Sequence, residues 1–173
     1  MVCPAGRGSG ETPLNLDILG TYLNDHLAGS VAALELADRL TQISRGTERE
    51  RVFVALKADI KEDQESLKRL LAGLGGKESK ARKAAAWLTE KIGEIKLEVD
   101  DTGNGQLRLL EALETLALGI QGKMGLWRAL GAASARAPEL RQLDFPQLER
   151  RASEQFDRVE AQRLAVARTA FGP

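Results

Sequence analysis

The sequence predicts an all-α fold, a bundle built from four long helices. Apolar residues return every three or four positions through four long stretches, the spacing that places side chains on one face of a helix. Breaks that contain glycine or proline separate the stretches, and no segment shows the alternating pattern of a strand. A chain of 173 residues is long enough for one such domain with a proper core.

The first predicted pair of helices covers residues 14–45 and 48–74. Gly46 suits the left-handed position that closes a helix, and Thr47 with Glu50 matches a capping box for the next one. Because the loop is so short, the two helices are predicted to form an antiparallel hairpin. The inner face of the second helix is marked by apolar residues at helical spacing: Phe53, Leu56, Ile60, Leu67, Leu70 and Leu74.

The second predicted hairpin covers residues 106–131 and 144–171. Its first helix has so little polar face that we expect neighbours on several sides. Gly119, Gly122 and Gly125 recur every three residues, and each costs helix stability relative to alanine. We therefore predict that another backbone approaches this row of glycines closely.

A shorter helix at about residues 79–98 is predicted to connect the two hairpins. At roughly 1.5 Å per residue it spans about 28 Å, comparable to the length of a bundle. It would carry the chain back to the start, as one long crossover, although a plain five-helix up-and-down bundle also fits. The predicted organisation is a disordered tail at residues 1–12 and a single helical domain at 13–171.

Composition narrows the classes of partner. Formal net charge is zero, so no electrostatic argument favours nucleic acid or an anionic membrane surface. The most apolar segment, residues 107–120, carries Glu111 and Glu114, which argues against a membrane span. Cys3 is the single cysteine, so no intramolecular disulfide forms, and we expect a cytoplasmic protein.

Asp63 is the residue that an ordinary core does not explain. It lies where Ile60 and Leu67 predict another apolar side chain in the second helix. A charged group in a buried stripe costs several kcal/mol unless it is paired, bound to a metal or reached by water. Asp63 is therefore the first candidate for either a functional or a structural polar site.

The order of elements, the run Tyr22-Leu23-Asn24-Asp25-His26 and the second helix with Asp63 resemble bacterial ferritin-like proteins. Small stress-associated bundles of unknown activity are among them. The resemblance covers most of residues 14–171 and implies a ferritin-like four-helix bundle. In metal-binding members two helices each supply one Glu, and the other two each supply Glu-x-x-His to a pair of iron or manganese ions.

This chain departs from that metal-binding pattern. It has a single histidine and no Glu-x-x-His, so we expect no metal and no other cofactor. If a degenerate metal site remained, its candidate ligands would be His26, Glu62, Asp63, Glu111 and Glu114.

A structural role for Asp63 is the favoured interpretation. Counting outward from the Gly46 loop places His26 within about one turn of Asp63 on the neighbouring helix. We therefore predict a hydrogen bond or ion pair between them, completed by Tyr22 or Gln155, that fixes the register of the helices.

Three functions follow from these observations. The first is a non-enzymatic, metal-free ferritin-like bundle that acts through protein contacts, as a homodimer or with a partner, in a stress or housekeeping role. No nucleophile constellation is present, so no catalytic residue is assigned. The second is a degenerate carboxylate-rich iron or manganese protein. The third is a carrier of a small apolar ligand, which predicts an internal cavity beside Gly119 and Gly122.

Overall fold

The structure is a computed structural model that describes residues 14–76, 85, 86, 90, 103–135 and 137–172. Within these residues the chain forms four long helices and no strand, so the predicted all-α class is confirmed there. The helices are α1 (Leu16–Ile43), α2 (Glu48–Gly73), α3 (Gly103–Ser134) and α4 (Phe145–Ala170), with a 3₁₀ turn at Pro138–Leu140.

Two predictions fall mainly on other residues. The tail at 1–12 lies outside the described residues. The connecting helix at 79–98 does too, apart from Ala85, Ala86 and Glu90.

The loop between α1 and α2 turns at Gly46, whose φ of 76° is the left-handed conformation that glycine adopts without strain. The Glu50 carboxylate accepts a hydrogen bond from the Gly46 backbone N–H at 2.8 Å. The Thr47 hydroxyl donates to the carbonyl oxygen of Ser44 at 2.7 Å and makes no cap bond. The predicted Thr47–Glu50 capping box is therefore wrong, because each side chain takes a nearer partner within the turn.

Other helix ends follow from local chemistry. Asn15 caps α1 by accepting from the Ile18 backbone N–H at 3.1 Å. Asp144 caps α4 by accepting from the Gln147 backbone N–H at 2.9 Å. After α2 the chain turns at Gly75, with a φ of 74°.

The helix α3 is longer than the predicted 106–131, since it begins at Gly103 and ends at Ser134. Its extra turn at the carboxyl end contains two alanines, the residue with the highest helix propensity. Of the described helices, none has a stretch both long enough and apolar enough to cross a membrane.

The core lies between two helix pairs, α1–α2 and α3–α4, which meet through contacts of α1 with α3 and of α2 with α4. Trp127 and Phe145 pack against each other at one end of the core, with ring centroids 6.4 Å apart. The largest fully buried aliphatic side chains are Leu23, Leu36, Leu40, Leu56, Leu70, Leu71, Leu113, Leu116, Ile120 and Leu126.

Not all of the leucines in α3 belong to that core. Leu113 is fully buried, whereas Leu107 is 42% exposed and Leu118 is 67% exposed. Leu107 and Leu118 are eleven residues apart, which places them on one face, turned away from the core. The prediction that α3 has neighbours on several sides is therefore wrong for this face within the described residues.

The row of glycines in α3 is also explained differently. Within the described part of the chain, a Cβ built on Gly119, Gly122 or Gly125 would meet no atom within 4 Å. All three residues are exposed. The predicted close approach of another backbone is therefore not found among the described residues.

Candidate functional site

Asp63 lies on the face of α2 that packs inward. The side chains before and after it on that face, Ile60 and Leu67, are both buried. Asp63 itself is only 2% exposed. The sequence interpretation of Asp63 as an acid inside the apolar ladder therefore agrees with its burial.

Two residues from the other helix pair bind the Asp63 carboxylate. Lys123 of α3 donates from Nζ to Oδ2 at 2.6 Å, and Gln155 of α4 donates from Nε2 to the same oxygen at 2.9 Å. Lys123 also donates to Gln155 Oε1. We call Asp63, Lys123 and Gln155 the polar cluster. Because its three members come from α2, α3 and α4, the cluster joins the two helix pairs.

Arg151 of α4 adds a second positive charge. Its Nη2 lies 3.2 Å from Asp63 Oδ1, while its Nη1 donates to Glu62 Oε1 at 2.7 Å. No hydrogen bond of good geometry reaches Asp63 Oδ1 from the described residues. Arg151 therefore acts on Asp63 mainly through charge, and binds Glu62 through a hydrogen bond.

The environment of Lys123 has opposing effects on its ionisation. Burial lowers the pKa of the Lys123 amine, the Asp63 carboxylate beside it raises that pKa, and Arg151 lowers it further. The net result is a pKa below the ordinary value for lysine. Lys123 is thus a buried ammonium whose charge depends on Asp63.

A further ion pair extends the contact between α2 and α4. Arg158 of α4 donates to Asp59 of α2, one turn before Asp63. Asp59, Glu62 and Asp63 therefore face a row of donors on α4, namely Arg151, Gln155 and Arg158. Charge matching along this row selects one register between the two helices.

His26 lines the same cleft as Asp63 but does not make the predicted bond to it within the described structure. Its ring packs edge-on against Tyr22, with centroids 4.7 Å apart and planes at 79°. Among the described contacts of Asp63, a bond to His26 does not occur. Lys123 is the charged partner of Asp63 that the sequence interpretation expected His26 to be. Of Tyr22 and Gln155, the two residues predicted to complete the pair, Gln155 binds Asp63 and Tyr22 does not.

The other candidate metal ligands are spread over the surface. Glu62 is exposed and bound to Arg151, and Glu114 is exposed and lies 3.2 Å from Arg163. Glu111 is exposed as well. Within the described residues, no three His, Cys, Asp or Glu side chains come together in a way that could hold a metal ion. At Asp63 a divalent cation would meet two positive charges, Lys123 and Arg151.

A cleft adjoins the polar cluster, between α1, α2 and α3, with a volume of about 90 Å³. We call it the central cleft. Its wall includes His26 and Ser30 of α1, Asp63 and Gln64 of α2, and Lys123 and Trp127 of α3. The carrier hypothesis predicts a cavity beside Gly119 and Gly122, and the central cleft lies beside Gly119 alone of the two.

Sequence reasoning missed Lys123, although the signal was present. Ile120, Lys123 and Trp127 are spaced three and four residues apart, so Lys123 interrupts an apolar face as Asp63 does. Two opposite charges that interrupt two inner faces indicate a buried ion pair. Arg151 gives no such signal, because it lies among other charged residues at the edge of its helix face.

Comparisons of the chain with protein-family models, with curated proteins and with solved structures find no match.

Proposed function

We propose that this chain is a non-enzymatic, metal-free bundle of the ferritin-like type that acts through contact with a second copy of itself. The observation that carries the proposal is the pairing of Asp63 inside the bundle. The one acid that α2 buries is bound by Lys123 and Gln155. An acid whose charge is matched by a lysine beside it serves packing specificity better than proton transfer or metal binding.

The ferritin-like arrangement is supported by the order in which side chains pair along the helices. Residue numbers rise on one helix while they fall on its neighbour, as antiparallel helices require. A four-helix bundle with only short loops would make α2 and α4 parallel, so a long connection between α2 and α3 is favoured. Between α1 and α2 the pairs are Ser30 with Gln64 and Asp38 with Lys57. Between α3 and α4 they are Glu114 with Arg163 and Arg128 with Glu149. Between α2 and α4 they are Asp59 with Arg158 and Glu62 with Arg151.

A contact surface is supported by a shallow groove on the outer side of α3 and α4. Its volume is about 350 Å³, and we call it the outer groove. Leu118, which is 67% exposed, and the partly buried Phe156 form its apolar part. Apolar patches rimmed by polar residues mark many protein contact surfaces, and here polar residues such as Glu114, Gln121 and Arg163 share the lining with the apolar ones.

The charges beside the outer groove favour a second copy as the occupant. Arg163 lies 3.2 Å from Glu114 and 2.6 Å from Glu160. Both signs are present on one small surface, so two copies of it can bring opposite charges together across a twofold axis. A homodimer uses this property, since the same patch then meets its own copy.

The metal content of purified protein tests the first half of the proposal. Elemental analysis of protein prepared without a chelator is expected to find far less than one iron, manganese or zinc per chain. A near-stoichiometric metal that is lost in both Asp63→Asn and Glu114→Gln would contradict the proposal, because metal would then be a resident ligand of these carboxylates.

The mass in solution tests whether the chain forms a homodimer. Light scattering is expected to give twice the 18.8 kDa of the chain. Leu118→Glu places a charge in the apolar part of the outer groove and should weaken association at least tenfold, about 1.4 kcal/mol. Val54→Glu is the matched control, since Val54 is 52% exposed on α2, away from the groove. A monomeric wild type, or equal effects of both variants, would refute the homodimer.

A further inference from the structure

Lys123 is a primary amine in the wall of the central cleft. It is also the most accessible member of the polar cluster, because its side chain is 15% exposed, against 2% for Asp63 and 1% for Gln155. An unprotonated lysine amine is a nucleophile that forms an imine with an aldehyde or a ketone. The central cleft therefore adjoins a group with the chemistry to bind a small carbonyl compound covalently.

Two features of its surroundings make Lys123 more nucleophilic than an exposed lysine. Its side chain is largely withdrawn from water, and Arg151 lies on the other side of the same carboxylate, with Nη2 3.2 Å from Asp63 Oδ1. Desolvation and a neighbouring cation both activate reactive lysines. Together they hold the pKa of Lys123 below its ordinary value, although Asp63 opposes them. More of this amine is therefore unprotonated near neutral pH than in an exposed lysine.

The Asp63 carboxylate is matched by the free lysine and by its imine alike. The Lys123 ammonium donates to Asp63 Oδ2 at 2.6 Å. A protonated imine keeps the positive charge and one N–H, so it retains a donor for Asp63 while the bond to Gln155 is given up. Neither state leaves a buried carboxylate without a counter-charge, which is the costly arrangement for a buried ion pair.

The size and lining of the central cleft limit which carbonyl compound fits. Its volume is about 90 Å³. A water molecule takes about 30 Å³ in the liquid, and an engineered cavity of about 150 Å³ admits benzene. Ile60, Leu67 and Leu126 contribute hydrocarbon to the wall. The central cleft therefore suits an aldehyde with a short alkyl chain, whereas an aromatic aldehyde is too large.

We propose that Lys123 is a covalent binding site for a small neutral aldehyde, which it holds as an imine in the central cleft. The ammonium first gives one proton to water, and its nitrogen then adds to the carbonyl carbon. A proton moves from this nitrogen to the former carbonyl oxygen. Water returns the first proton to that oxygen, which leaves as water while the nitrogen lone pair forms the C=N bond. This site is independent of the outer groove, so it holds whether or not the chain forms a dimer.

Reductive trapping on the folded wild type tests the proposal. Acetaldehyde is the probe, cyanoborohydride reduces any imine to N-ethyl-lysine, and peptide mass spectrometry measures the extent at each lysine after a brief exposure near neutral pH. Lys61, an exposed lysine of α2, is the reference within the same sample. We expect Lys123 to be modified faster than Lys61 by about tenfold or more. With benzaldehyde the order should reverse, because the aromatic ring does not fit the central cleft.

Variants that fill the central cleft provide the matched comparison. Ala33 of α1 lines it, so Ala33→Leu should lower the modification of Lys123 severalfold and leave that of Lys61 unchanged. Ala55→Leu is the control, because Ala55 is exposed on α2 and is not part of the wall. Circular dichroism verifies that each variant is folded. If Ala33→Leu does not fold, the comparison of acetaldehyde with benzaldehyde on the wild type is sufficient.

Three results would overturn the proposal. The first is that acetaldehyde modifies Lys123 no faster than Lys61 in the folded wild type. The second is the same ratio of Lys123 to Lys61 modification with benzaldehyde as with acetaldehyde, which would mean that the reaction takes place outside the central cleft. The third is unchanged modification of Lys123 in folded Ala33→Leu.

Discussion

Asp63→Asn is expected to destabilise the protein by about 3 kcal/mol, the low end of what breaking a buried ion pair costs. The variant keeps the shape of the side chain and one oxygen that can accept from Gln155, removes the charge, and replaces the other oxygen by an NH₂ donor. Lys123, whose side chain is 15% exposed, then remains as a buried ammonium without its carboxylate. Chemical denaturation near neutral pH measures the loss.

The loss should become smaller as the pH rises from 7 towards 10. Burial already lowers the pKa of Lys123, and without Asp63 that pKa falls further. Between the folded and unfolded pKa values the unfolded chain binds more protons, so stability rises with pH in this range. Glu62→Gln is the control, because it removes a neighbouring but exposed carboxylate and should cost less than about 1 kcal/mol. Equal losses in the two variants would show that Asp63 is not a buried ion-pair partner.

Leu113→Ala is expected to destabilise the protein by about 3 kcal/mol, through lost burial and the cavity left behind. Leu113 is fully buried in α3, between the two helix pairs. Alanine is the better helix former, so helix propensity does not contribute to the loss. Denaturant titration at constant pH gives the free energy of unfolding.

Leu118→Ala provides the comparison on the same helix. Leu118 is 67% exposed in the single chain, so in protein dilute enough to be monomeric the same change should alter stability by less than about 0.5 kcal/mol. Similar losses at both positions would mean that the outer face of α3 is covered in solution. If the loss at Leu118 disappeared on dilution, the homodimer contact at the outer groove would account for it.

The helices were predictable because each is amphipathic over many turns. Phe53, Leu56, Ile60, Leu67 and Leu70 were read from their spacing in α2, and all five are buried. The turn at Gly46 was predictable as well, since a left-handed residue at a helix end is usually glycine. The Thr47–Glu50 capping box failed because the competing acceptors within a short turn are not visible in the sequence.

The face of α3 was not predictable from its composition. Six leucines and one isoleucine between positions 107 and 120 suggest that the helix is buried on all sides, yet Leu107 and Leu118 are exposed. Spacing within one helix shows which residues share a face, but not which faces meet a neighbour. That depends on how the helix pairs come together, which is a tertiary property.

The candidate site was half predictable. Asp63 was identified as a polar residue at an inner position, Gln155 was one of two residues predicted to complete its pairing, and the two are joined in the structure. The wrong partner was His26, since counting along two helices gives the level of a residue but not the direction of its side chain. Lys123 is sixty residues from Asp63 in the sequence, and only the packing of α3 against α2 brings the two side chains together.

A double-mutant cycle between Asp63→Asn and Lys123→Met tests the central claim most directly. The claim is that Asp63 and Lys123 form one structural unit that joins the two helix pairs. The double variant removes both charges and keeps an amide at position 63 for Gln155. We predict that it is more stable than Asp63→Asn alone, with a coupling energy of about 2 kcal/mol. Strictly additive losses in the free energy of unfolding would contradict the account.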